Sequence, residues 1–447
     1  MRKIILLLLA LQIVLSCQKD KNDDNNKPPP NDTTFIVPKT EDIVIYEVNL
    51  RALSASGDFQ GVIERLNDIK ALGINVIWLM PIHPIGEINS VNSPYSVKDY
   101  KQVNPEFGTL SDFKALVKKA HDLEMAVIID WVANHTAWDN PWISNPDWYT
   151  QDGNGNIVHP PGTNWLDVAD LNFDSQAMRL EMINSMNYWI TETGIDGFRC
   201  DAADFIPFDF WQQAISSINL ATERELIWLA EGARTDHFTA GFHMNYAWNF
   251  YNKLKQVFTS GQVASDLLTM HIMEYNNIPE GKHKLRFTTN HDESAWDATP
   301  MVIFNGEKGA LAASVIAIYL GGVPLIYGSQ EVGVVENVPF FSNSTINWSQ
   351  HPEMLQAYKS ILNFYNSSDA LKKGELTSYP SPDVLAFKRA FEQKEVLVLV
   401  NVRNNPSAYP VPVELQGTSW KGAFDLSIVT LPEIMSLQAY EYRILTD

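Results

Sequence analysis

Past residue 42 the chain alternates short apolar runs with longer stretches of helical period. The runs cover residues 43–51, 75–81, 126–135, 195–201, 226–231, 285–292 and 323–331, and a weaker one covers 241–248. Most end in polar side chains. Apolar runs of this length, bounded this way, read as buried strands. Between them, residues 59–72, 110–124, 175–192, 208–218 and 307–321 carry apolar positions at helical spacing. Strand and helix in alternation predict a parallel sheet with crossover helices. Eight such units predict a closed (β/α)8 barrel.

Spacing sharpens the expectation. One strand–helix unit takes ~30 residues. Arg51 and Pro81 stand that far apart, as do Asp201 and Glu231, while Glu231 and Asp292 are separated by two units. Asp130 and Asp201 are 71 residues apart. About 40 residues are therefore surplus after the third strand. Segment 136–174, with Trp138, Trp142, Trp148 and Trp165, reads as a small subdomain over the barrel mouth. The loop 83–109 after the second strand is also long. From residue 371 short alternating runs replace the helices. The expected layout is a barrel over 38–370 and an antiparallel β-sandwich domain over 371–447.

The stretch Gly194-Ile195-Asp196-Gly197-Phe198-Arg199-Cys200-Asp201 opens on a glycine able to close a helix and ends in an arginine and an aspartate two apart. Residues i and i+2 of a strand share a side, so Arg199 and Asp201 stand together at its carboxyl end. Taken alone, this is a structural ion pair or a working site. Acidic residues at the ends of the fourth, fifth and seventh strands, Asp201, Glu231 and Asp292, widen the picture. His135 and His291 flank them at the third and seventh. In a barrel these ends converge on one mouth. Three neighbouring carboxylates cannot all ionise freely, so one is expected to keep its proton near neutrality. A protonated acid facing an ionised carboxylate is the pairing that glycosidic cleavage needs.

Of the 447 residues, 45% are hydrophobic, enough for a large barrel and a smaller module. The net charge of −20 argues against nucleic acid and against an anionic membrane surface. A neutral substrate meets no such objection. The 13 Trp, 16 Tyr and 21 Phe supply core, and equally flat platforms for the faces of sugar rings. Cys17 lies in the leader, which leaves Cys200 as the sole thiol of the mature body and rules out an intrachain disulfide there.

Arg2-Lys3, an apolar run over 4–15 and Ser16-Cys17 have the layout of a secretory signal. The apolar run is shorter than the ~20 residues that span a bilayer. Leu15-Ser16-Cys17 resembles the end of a bacterial lipoprotein signal, with Cys17 as the lipidated first residue. Residues 18–34 lack apolar side chains, and 18–37 is expected to be a disordered tether. Gln18-Lys19-Asp20 resembles surface-export tags of Gram-negative lipoproteins. The expected location is the outer membrane, on its periplasmic or cell-surface face, held only by lipid.

Several motifs, in order along the chain, resemble those of the alpha-amylase family of glycoside hydrolases. They are Ser93-Pro94-Tyr95-Ser96-Val97-Lys98-Asp99-Tyr100, Asp130-Trp131-Val132-Ala133-Asn134-His135, Val168-Ala169-Asp170-Leu171-Asn172, Gly197-Phe198-Arg199-Cys200-Asp201-Ala202, Trp228-Leu229-Ala230-Glu231 and Thr289-Asn290-His291-Asp292. The resemblance covers roughly residues 40–447. It implies a retaining hydrolase of α-1,4-linked glucans or maltooligosaccharides. Asp201 would be the nucleophile, Glu231 the general acid/base, and Asp292 the stabiliser that holds sugar hydroxyls. Arg199 would keep Asp201 ionised, His135 and His291 would bond the sugar, and Tyr95 would stack beneath it. Asn134 and Asp170 match family calcium ligands; no organic cofactor is implied. Asp204 and Phe205 depart from a Lys-His pair that often contacts the sugar beyond the cut. Residues 152–156 look faintly like a calcium loop but read better as a hairpin turn. The alternative readings are a transglycosylase of the same family and a non-catalytic glucan-binding barrel. The intact acid trio speaks against the latter.

Overall fold

In a computed structural model, residues 35–447 are described. The leader, Cys17 and most of the expected tether lie outside the described residues. Eight strands, β1 Ile45–Val48, β2 Val76–Leu79, β3 Ala126–Trp131, β4 Gly197–Cys200, β5 Ile227–Ala230, β6 Met244–Tyr246, β7 His283–Arg286 and β8 Val323–Tyr327, form a closed barrel. Every neighbouring pair is parallel, with β8 returning to β1. Ile45, Val76, Ala126, Ile128, Leu229, Met244, Leu285 and Leu325 fill its interior. The five expected helices are present at Phe59–Ala71, Leu110–Asp122, Gln176–Thr193, Phe208–Ala221 and Glu307–Tyr319. They pack on the outward strand residues, such as Ile77, Val127 and Phe198. Helices Trp248–Thr259, Asp266–Tyr275 and Pro352–Ser367 complete the outer ring.

Local chemistry sets the boundaries. Thr109 caps the helix after β2 reciprocally with Asp112. Gly194, at φ 74°, closes the helix before β4 in the left-handed conformation. Gly197 has φ 146°, and a Cβ there would meet the Ile227 carbonyl oxygen at 1.9 Å. The close approach of β4 to β5 therefore requires glycine.

Four strand ends differ from the sequence reading; the last run, read to residue 331, stops at Tyr327 before a short helical turn over Gln330–Val332. The first strand stops at Val48, because the Asn49 side chain accepts from the Arg51 N–H and starts a helical turn over Leu50–Leu53. The third run splits: β3 ends at Trp131, and His135–Ala137 is a separate strand, antiparallel to Val168–Asp170 in the inserted subdomain. The seventh strand ends at Arg286, and His291–Trp296 is a short helix whose N-cap is Asn290. At the start of the described chain, Phe35 and Val37, assigned to the tether, pack against the lower barrel core, and Phe35 stacks on His121 at 4.2 Å.

Residues 152–156 form a tight turn. The Asp152 carboxylate accepts from the N–H groups of Asn154 and Asn156 at 2.8 and 2.9 Å. At the carboxyl end, a six-stranded antiparallel sheet that begins at Glu375–Ser378 and a two-stranded sheet enclose Val384, Leu397, Leu399, Tyr409 and Leu437.

Candidate active site

The barrel interior becomes polar at the carboxyl ends of its strands, and one arginine organises what gathers there. In the β3–β4 register Asp130 lies beside Arg199. Arg199 is fully buried. Its Nη1 donates to Asp130 Oδ1 at 2.8 Å and to Asp201 Oδ1 at 2.9 Å. Its Nη2 stands 2.9 Å from Glu231 Oε1, an ion-pair contact without the alignment of a hydrogen bond. Nε donates to the Tyr246 hydroxyl, and the guanidinium lies 4.9 Å from the centre of the Trp78 ring. One cation thus joins carboxylates from the ends of β3, β4 and β5.

Glu231 is also clamped by backbone. Ala202 has φ 44°, a strained value for a side chain with a Cβ. That turn aims the Ala202 N–H at Glu231 Oε2, 2.7 Å away. The Ala203 N–H donates to the Glu231 carbonyl, and the Glu231 N–H to the Cys200 carbonyl. Cys200 itself is buried on the outer face of β4.

The seventh strand's loop supplies the facing wall. His291 Nε2 lies 3.4 Å from Asp292 Oδ2 and 2.7 Å from the Tyr95 hydroxyl. Its Nδ1 bonds Glu47 Oε1 on β1. Burial opposes charge on His291, but Asp292 and Glu47 outweigh it and push its pKa up to about 9. At neutral pH the ring is an imidazolium that donates from both nitrogens. Tyr95 in turn donates to Asp130 Oδ2 at 3.1 Å. Its ring stacks on His291 and meets Phe340 edge-on.

Five carboxylates, Glu47, Asp130, Asp201, Glu231 and Asp292, here meet two cations, Arg199 and His291. Burial raises Asp201 to about 6 against the pull of Arg199, with Asp130 and Asp292 adding to the rise. Burial raises Glu231 further, to about 7, and Asp201 and Asp292 again add. Asp130 reaches about 6 by burial. Near neutrality Glu231 is thus readier than Asp201 to hold a proton.

His135 is buried beside the Tyr95 backbone, and burial lowers its pKa to about 4, so it is neutral. Its ring meets Trp165 edge-on at 5.5 Å. Asn134 and Asp170 come together at the subdomain hairpin: His135 pairs with Asp170, and the Leu171 N–H donates to the Asn134 carbonyl. Asp170 is half-buried, burial raises its pKa, and no lysine or arginine is bridged to it among the described residues. A carboxylate in that setting, next to an amide, fits a hard cation in kind. The remaining oxygens of a calcium shell would come from backbone and water.

All seven sequence-assigned catalytic and sugar-contacting residues therefore sit around one mouth. Glu47 and Asp130 belong there too. Asp130 was legible as the first residue of its motif. Glu47 was not: inside Ile45-Tyr46-Glu47-Val48 a single acid looks like the solvent position of a half-exposed strand.

Comparison with known proteins places the chain. Residues 19–157 and 163–374 match the family model for the alpha-amylase catalytic domain. Alpha-amylase MalA of Haloarcula japonica is 27% identical over 403 residues, which cover 85% of this chain and 58% of the relative, so the chain spans little more than half of that protein. The crystal structure of an alpha-amylase from Lactobacillus plantarum superposes with TM-score 0.83 at 26% identity, covering 91% of this chain and 99% of that one. A noncanonic maltogenic alpha-amylase, AmyB from Thermotoga neapolitana, gives TM-score 0.81 at 26% identity and covers 92% and 99%.

Proposed function

This chain belongs to the alpha-amylase family of glycoside hydrolases, and from that premise we propose that it cleaves α-1,4-glucosidic bonds of starch-type glucans or maltooligosaccharides with retention. The observation that carries the reading is that Arg199 touches both Asp201 and Glu231, at 2.9 Å each, in a mouth also lined by Asp292. The Thermotoga neapolitana relative is described as maltogenic, which supports maltose as a product.

In this reading Glu231 gives its proton to the leaving glycosidic oxygen while Asp201 attacks the anomeric carbon. Arg199 favours the charged form of Asp201. Nucleophilic attack spends that charge as the proton leaves Glu231, so the field at Arg199 keeps a nearly constant partner. Asp292 bonds the sugar hydroxyls, as does His291 once its Nε2–H turns from Tyr95 to the substrate, and Tyr95, stacked on His291, supports the ring. Glu231, now a carboxylate, deprotonates the water that releases the product.

The test is maltoheptaose digestion by wild type and Asp201→Asn, with the product anomer read by NMR. α-Anomer from wild type and at least a thousandfold loss in Asp201→Asn is the expected result. Equal product from both removes Asp201 from the mechanism, and no product from either favours a binding protein. A calcium ion held by Asn134 and Asp170 would supply charge neutralisation between barrel and subdomain, with no part in bond cleavage. We further propose that Cys17 carries a lipid that anchors the enzyme to the outer membrane; Cys17→Ala released into the medium supports this, and unchanged membrane association opposes it.

A further inference from the structure

We propose that Asp204 is a positioning residue for the acid: its carboxylate latches the loop after Glu231 to the turn after Asp201, and so sets where the Glu231 carboxyl stands relative to the nucleophile. This rests on the glucan cleavage proposed above. Asp204 stands where the family often has a lysine. A lysine side chain offers donors and no acceptor. A carboxylate accepts, and here it meets backbone N–H groups of the neighbouring loop.

Three consecutive residues after the nucleophile each tie to the acid or to its loop. The Ala202 N–H donates to Glu231 Oε2 at 2.7 Å, and the Ala203 N–H donates to the Glu231 carbonyl at 2.9 Å. Asp204 extends the series with its side chain. Its Oδ2 accepts from the Ala233 N–H at 3.0 Å, and its Oδ1 accepts from the Arg234 N–H at 3.2 Å. Arg234 Nη1 returns to the carbonyls of Asp204 and Ile206, each at 3.0 Å. The seat is tight. A Cβ on Gly232, the residue after the acid, would stand 2.3 Å from Asp204 Oδ1. The buried His237 ring lies against the same oxygen, with Nε2 at 3.3 Å.

The first two ties are donated by backbone, so they are open to any side chain at their positions. The third depends on the side chain at 204. On its other flank the loop is held to β6 independently. The Tyr246 N–H donates to the Gly232 carbonyl at 3.0 Å, and Asn245 Nδ2 donates to the Arg234 carbonyl at 2.9 Å. Loss of the Asp204 carboxylate therefore leaves the loop anchored on one flank, with two N–H groups given over to water. The fold survives, but the acid is no longer held in register with Asp201. Misplacement of a catalytic group by ~1 Å can cost ~100-fold in rate.

The experiment compares wild type, Asp204→Ala, Asp204→Asn and Arg234→Gln on maltoheptaose and on α-maltosyl fluoride, the latter read as fluoride released in the first turnover. That step needs no proton from Glu231, so it reports the nucleophile without the acid. On maltoheptaose Asp204→Ala should lose about tenfold in kcat with KM within about twofold, while its first-turnover fluoride release stays within about twofold of wild type. Asp204→Asn keeps one acceptor oxygen and should recover part of the loss, to about threefold below wild type. Arg234→Gln removes the return bonds and should show the same split between substrates, again at about threefold. Thermal unfolding of each variant shows that the fold is kept, and if Asp204→Ala does not fold, the other two variants decide. Equal losses on both substrates, or no loss on either, overturn the latch alone. A wild type that releases neither fluoride nor product from maltoheptaose overturns the cleavage reading, and the latch with it.

Discussion

Glu47 and His291, 244 residues apart in sequence, share a hydrogen bond from Nδ1 to Oε1 at the floor of the mouth. The contact fixes the ring and helps hold it charged, with Nε2–H aimed at Tyr95. Glu47→Gln keeps the shape and removes the charge. In wild type the His291 ring proton should titrate near 9 by NMR, and in Glu47→Gln clearly lower, since Asp292 alone then opposes burial. An unchanged titration would remove Glu47 from this role.

In the proposed mechanism Asp201 and Glu231 set the pH dependence, because cleavage then needs the first ionised and the second protonated. With burial placing them at about 6 and about 7, kcat/KM should follow a bell whose maximum lies between those values. The acid limb reports Asp201 and the alkaline limb Glu231. A rate still rising at pH 9 would mean that another group donates the proton.

The same shifts bear on stability. The folded pKa of Glu231 lies above its ordinary 4.5, at about 7. Both states carry the proton below 4.5, so Glu231 takes nothing from the stability of the fold there. As pH rises through about 7, the fold must bear a buried charge that the unfolded chain solvates, and stability is lost. Glu231→Gln escapes that loss. Its Tm should exceed that of wild type at pH 8, with the gain shrinking toward pH 4. A gain independent of pH would point to packing instead.

Arg51 was read as the last residue of a strand. Its guanidinium instead holds Glu106 at 2.7 and 2.8 Å and the carbonyls of Asn92 and Phe340 at 3.0 Å. It ties the loops after β2 and β8 behind Tyr95 and Phe340. Glu106 is a third exposed, which weakens the pair. Arg51→Ala should cost ~2–3 kcal/mol in urea unfolding and raise KM more than it lowers kcat. A variant with wild-type KM would show that the loops hold without it.

Much of this was legible in the sequence because barrel strands repeat at a fixed interval and chemistry gathers at their ends. Asp201 and Glu231 fall in that register. Even the weak strand β6 was found by the space left for it. What escaped was non-local. Helices Trp248–Thr259 and Asp266–Tyr275 sit where Tyr251, Phe250 and Leu267 are buried among neighbours that the pattern alone does not reveal. Asp292 was read as the end of a strand, but it lies inside a short helix that begins at His291 and is capped by Asn290. Glu47 joins the site only through a residue far along the chain, and no spacing rule reaches that distance.

The most direct test is the mass of a trapped intermediate. Glu231→Gln with α-maltosyl fluoride needs no acid to expel fluoride, but lacks the base that releases the sugar. The maltosyl-enzyme should accumulate, with the added mass on the peptide that carries Asp201. Fluoride consumed with no adduct, or an adduct on another residue, would contradict the account.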